Sequence, residues 1–200
     1  MPSKTSICNL AVGWLGGNLI TDVDVDTSKE ATLCNANYDD SRKLVLEAAD
    51  WNFARELHAL LPAGTSPDFG YSNRFLIPEH ALVLRKCSLQ ASDLAPQSYW
   101  ETRNSDFQYM LRGQFIEAHA EKLYTSFTMD VTDPKLYSST FIHALAAHIA
   151  MSIAVPLTES GTHEDRMTNK YANYLREAMS IDGVQSKSKR INSDVLLRVR

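Results

Sequence analysis

The sequence predicts an α+β chain, mainly α: a four-helix bundle with a small antiparallel β insertion and an extended C-terminal arm. Three observations carry that expectation. Apolar residues recur at helical spacing near both ends of the chain. Between them lie short aromatic runs broken by glycine, asparagine and proline. Beyond Gly183 the residues turn polar and basic. The expected organisation is a helical bundle built from 1–60 and 130–183, a β-rich insertion at 61–129, and an extended basic tail at 184–200.

The first helix is expected from Lys4 to Trp14, with Ile7, Leu10, Ala11 and Trp14 on one stripe and Gly16-Gly17 as its stop. The run "TDVDVD", Thr21 to Asp26, has alternating aspartates. A calcium loop of EF-hand type needs a glycine at its sixth position and a glutamate at its twelfth, and neither is in register, so a solvated acidic loop is expected. Thr27 and Glu30 form a capping-box pattern opening a second helix, whose face runs through Ala31, Cys34, Tyr38, Val45 and Ala49. The stretch "ADWNFARELHALLPAG" ends it and becomes more extended, and Pro62 and Gly64 mark a loop.

The insertion reads as strands: "YSNRFLIP", "ALVLRKCSL", "FQYML", "GQFIEA" and "KLYTSFTMDV", with a hairpin around Arg112-Gly113. Helical pattern returns at Asp133 as cap and Pro134 at the first helical position. That helix is expected to run through "TFIHALAAHIAMSIAVPLT" until Pro156 stops it. A last helix starts with Thr162 as cap, carries Met167, Tyr171, Tyr174, Leu175, Ala178 and Ile181 on its buried stripe, and stops at Gly183.

Composition narrows the function. The hydrophobic share of 44% and charged share of 22% are those of an ordinary globular protein, and a net charge of −4 argues against a general polyanion binder. The charge is uneven. Lys187, Lys189, Arg190, Arg198 and Arg200 face one acid, Asp194, so the tail carries +4 and residues 1–183 carry −8. Such a tail implies a negatively charged destination, a protein surface or nucleic acid. Cys8, Cys34 and Cys87 form no CxxC pair and read as buried reduced thiols. The N-terminal apolar stretch is broken by Asn9, Gly13 and Gly16, which argues against a signal peptide.

The uncharged run 140–158 could be a membrane span, a metal-binding helix or a helix buried in protein. His143, His148, Ser152 and Pro156 interrupt it, and no basic or aromatic anchor follows, so it reads as buried in protein. His143 and His148 are five apart and point away from each other, so they cannot share a metal from one helix face. Each is expected to be bonded to a hydroxyl or carbonyl. Ala144, Ala147, Ala150 and Ala154 leave this helix smooth, fit for close helix packing inside the subunit or against a neighbouring one.

No nucleophile elbow, phosphate loop or zinc-peptidase motif occurs, so no catalytic residue, cofactor or metal is expected. Two alternatives stay open. Glu101, Asp106, Glu117 and Glu121 could supply the carboxylate pair of a cell-wall glycan hydrolase. The basic tail could bind DNA as a separate module.

The order of motifs resembles the tail tubular protein A family of short-tailed bacteriophages, the head-to-tail adaptors. The resemblance lies in "ADWNFAREL", "YSNRFLIPEHALVLR", "QYMLRGQFIEA", "LYTSFTMDVTDPKLYSSTFIHALAAHIAMSIAVPLTES" and "YANYLREAMSIDG", which together cover most of residues 5–183. His80 stands where the family usually has an aspartate. The resemblance implies a structural virion protein, assembled in the host bacterial cytoplasm as a dodecameric ring. That ring would join a portal protein to a tail nozzle protein like tail tubular protein B, with DNA crossing its lumen without specific binding. No membrane is implied. The tail residues Lys187, Lys189, Arg190, Arg198 and Arg200 would then contact a portal or a neighbouring copy.

Overall fold

The computed structural model describes residues 2–65, 67, 69–94 and 107–185. The chain separates into two compact units. The helical unit comprises residues 1–54 and 129–183, and the sheet unit comprises residues 55–128.

In the helical unit, α1 spans Lys4–Leu15, α2 Lys29–Ala48, α3 Ser139–Thr158 and α4 Gly161–Gln185. Ser3 caps α1 with a reciprocal box to Ser6, and Gly16 ends it in the left-handed region at φ 76°, which costs glycine nothing. Ser28, not Thr27, caps α2 by accepting from the Ala31 amide. Glu30 does not close a capping box; its carboxylate accepts from the backbone and side-chain amides of Asn18, tying the preceding loop to the helix.

Asp133 caps only a 3₁₀ turn, Pro134–Leu136. α3 itself begins after Ser138, whose hydroxyl accepts from the Phe141 amide. Pro156 sits inside α3 rather than ending it. It falls in the last turn, so its missing N–H costs one hydrogen bond, and Glu159 closes the helix at φ 56°. Gly183 likewise lies within α4 and does not stop it.

The expectation of a four-helix bundle is overturned: the fold is α+β, four helices with two three-stranded antiparallel sheets. The reason lies in α3 and α4. The alanines of α3 let α1 and α2 approach closely, and those two helices pack against it. α4 reaches the others through rings instead: Tyr174 against Trp14 and His143, and Tyr171 against His148. Of its expected stripe only Met167 and Ala178 are buried, while Ile181 is exposed. A helix so little enclosed does not complete a bundle core.

The core of this unit gathers Trp51, Leu46, Phe141, Leu145, Ile149 and Ile153, all fully enclosed. Trp51 donates from Nε1 to the Val45 carbonyl at 2.9 Å and meets Phe141 edge-on at 5.1 Å. Asp182 accepts from the Asn52 amide and fixes the turn after Trp51 to α4. Arg42 on α2 is buried against Asp130 at 3.1 Å, and Tyr137 donates to the Val131 carbonyl at 2.7 Å. These bonds secure the chain where it returns from the insertion.

In the sheet unit, β1 is Arg55–Leu60, β2 Asn73–Leu76, β3 Ala81–Ser88, β4 Tyr109–Arg112, β5 Phe115–Ala118 and β6 Leu123–Met129. One sheet has the order β1-β6-β3 and the other β2-β5-β4. β1 lies within residues that the sequence assigns to the helical part. It exists because Arg55 to Leu60 pair with Thr128 to Leu123, a partner far along the chain. In the second sheet Arg112 pairs with Phe115, so Gly113 and Gln114 form the two-residue hairpin loop, with Gly113 at φ 59°.

Candidate functional site

Among the described residues, those singled out in the sequence do not come together as one site. Ala144, Ala147, Ala150 and Ala154 are fully buried, and α1 and α2 of the same chain cover α3. Their smoothness is accounted for inside one subunit. Lys187, Lys189, Arg190, Arg198 and Arg200 lie outside the described residues, as do Glu101 and Asp106. α3 is long and apolar enough to cross a membrane by length and composition, and half of its most apolar window is buried in the chain.

Catalytic and metal-binding arrangements can be tested on geometry. Glu117 is 1% exposed on the central strand β5. Its Oε1 lies 3.2 Å from Nη2 of Arg74, its direct cross-strand neighbour, and its Oε2 lies 3.5 Å from Nη1 of Arg112. Arg74 also lies over the Phe115 ring. With both oxygens held by guanidinium groups, this carboxylate is placed as a structural counter-ion rather than as a proton donor facing a substrate.

His143 lies against Trp14 and Tyr174, and His148 meets Tyr171 edge-on. Neither is bonded through Nδ1 among the described residues. Burial pushes the His148 imidazole below its ordinary pKa, which favours the neutral ring. Lys170 sits 3.6 Å above the Trp14 ring, a cation–π contact at the edge of this stack.

In the acidic loop, Asp24 pairs with Lys4 at 2.6 Å, and the Asp26 carboxylate is held below its usual range by the Ser28 amide and hydroxyl. No cluster of three or more metal-ligating side chains occurs among the described residues. Cys8 and Cys34 are both buried and face each other. The hydrogen bond from Cys8 holds the Cys34 thiol low, while the Cys8 thiol is pushed up by that same bond and by burial.

What stands out lies on the sheet unit. Every residue of β4 is exposed, including Tyr109 at 40%, Met110 at 45% and Leu111 at 53%. Among the described residues β4 is an edge strand paired with β5. Leu76, also exposed, lies at the end of β2. Beside them a cavity of about 660 Å³ is lined by Leu76, Pro78, Leu82, Leu84, Leu111 and Phe127. By the strand register Tyr109 and Leu111 lie on one face of this sheet, and Met110 and Leu76 on the other.

Sequence reasoning recognised "FQYML" as a strand and missed its exposure. The available signal was the lack of alternation: three apolar residues in a row give both faces of a strand an apolar side chain, which one subunit's sheet cannot bury at an edge.

No protein-family model matches the chain, and no curated protein matches it.

Proposed function

We propose that this chain is a structural head-to-tail adaptor of a short-tailed bacteriophage virion, with no catalytic step. Copies close into a ring that joins the portal protein to a nozzle protein, and DNA crosses the lumen unbound. The single observation that carries this reading is the exposed edge strand β4, with apolar Tyr109, Met110 and Leu111 in solvent on both faces of its sheet, which calls for cover by another polypeptide. The order of motifs from "ADWNFAREL" to "YANYLREAMSIDG" gives that strand its context through resemblance to tail tubular protein A. The net −8 over residues 1–183 supports a lumen wall that repels rather than retains DNA.

The glycan-hydrolase alternative draws no support from Glu117, which two arginines enclose. The test is electron microscopy of the purified protein, alone and mixed with its portal. Ring particles are expected. A chain that stays monomeric with every virion component ends the proposal.

A further inference from the structure

Among the described residues β4 stands at the edge of its sheet, a short strand of four residues. Edge strands usually carry lysines, prolines or bulges that discourage pairing. β4 has one charge, Arg112, and its Nη1 is turned toward Glu117. In an antiparallel pair every second residue points its N–H and C=O away from the partner, so the far side of β4 offers a ready ladder.

A matching strand is written at the end of the same sequence. Fifteen residues follow Gln185, and they close with "SDVLLRVR", Ser193 to Arg200. At strand period Val195, Leu197 and Val199 share one face, and Leu196, Arg198 and Arg200 share the other. The first set matches the apolar cavity lined by Leu82, Leu111 and Phe127. Extended, a segment of that length reaches about 50 Å.

We infer that residues 195–200 of one copy add as a strand to β4 of a neighbouring copy. Main-chain hydrogen bonds supply the affinity of such an addition and the side-chain pocket supplies its register. Donor and acceptor surfaces differ, so the contact is head-to-tail and repeats around a ring. This inference rests on the ring reading above and names what joins its members.

The test uses full-length chains in a Cys87→Ser background, because Cys8 and Cys34 are buried and Cys87 is half-buried. Leu111→Cys chains are mixed with Leu197→Cys chains and exposed to a mild thiol oxidant. A covalent dimer is expected in the mixture and not in either variant alone. No dimer from the mixture, with both variants folded by circular dichroism, overturns the inference. So does equal cross-linking of Leu111→Cys with itself, which means that two β4 edges pair. Cross-linking of the double variant only within one chain, independent of concentration, also overturns it by assigning the tail to its own sheet.

Particle assembly separates the two claims. Deletion of residues 195–200 and Leu111→Asp are each expected to abolish rings while leaving the circular dichroism unchanged. Rings that survive both changes overturn the strand exchange and leave the adaptor reading standing. Mixed cross-linking in a protein that forms no rings sustains the exchange and removes the adaptor reading.

Discussion

Around α3 the helical unit encloses Phe141, Leu145, Ile149 and Ile153 completely, whereas the sheet unit leaves all four residues of β4 in solvent. The first unit gains its stability from apolar burial, worth about 1.5–3 kcal/mol for each large side chain. The second places a charge, Glu117, on its central strand and holds it with Arg74 and Arg112. Apolar residues it could have used inward stand outward at Tyr109, Met110 and Leu111. The difference teaches a division of labour. One unit is centred on a closed apolar core, and the other leaves an apolar edge strand in solvent.

The sharpest way to break that comparison is Trp51→Ala. Trp51 is fully buried, bonded to Val45 and packed on Phe141, so the loss should reach about 3–5 kcal/mol in urea denaturation. A loss near zero would mean that the helical core is not the centre of stability.

Glu117→Ala comes next. It strands Arg74, which is itself partly exposed, and should cost about 2–3 kcal/mol, with Glu117→Gln costing less. An unchanged denaturation midpoint would show that the sheet unit does not depend on its buried charge.

Ala147→Leu forces a larger side chain between α3 and the helices packed on it. About 1–3 kcal/mol should be lost, read by thermal melting. A neutral result would indicate slack in a contact that the structure draws as tight.

The smallest effect is a pH dependence. Burial keeps the folded His148 pKa below its ordinary value of 6.5, so just below that pH the folded chain binds fewer protons than the unfolded chain. Stability present above pH 6.5 is therefore lost as pH falls through that value toward the depressed folded one. His148→Phe should flatten this part of the stability profile. The same slope in variant and wild type would assign it to other groups.

Much of the helical unit was legible because helix signals are local. The stripe through Ala31, Cys34, Tyr38 and Val45 needs only a period of 3.6 residues, and all four are buried. The stop at Gly16 needs only a residue that tolerates positive φ. Some errors fell at ends, where neighbours compete: Ser28 displaced Thr27 as cap, and Pro156 was absorbed into a last turn with little left to lose. The α4 stripe was a larger one, since only Met167 and Ala178 of it are buried. The hairpin at Gly113 was legible for the same reason, since its closing pair is three residues apart.

The candidate site was not legible in that way. "FQYML" signals a strand, but nothing local says which edge it occupies or which partner it lacks. Glu117 reads as one acid among several until Arg74, distant in sequence, is placed directly across from it. β1 was hidden likewise, because Arg55–Leu60 becomes a strand only through pairing with β6.

By itself, then, the sequence determined the four helices, the hairpin turn, the charge imbalance between body and tail, and the absence of familiar catalytic motifs. Each is a property of neighbouring residues or of a sum over all of them. The tertiary structure alone decided that α4 would lean on rings instead of closing a bundle, that the strands would form two sheets, and that β4 would be left open. Those outcomes depend on which distant surfaces meet, and burial is granted only where they do.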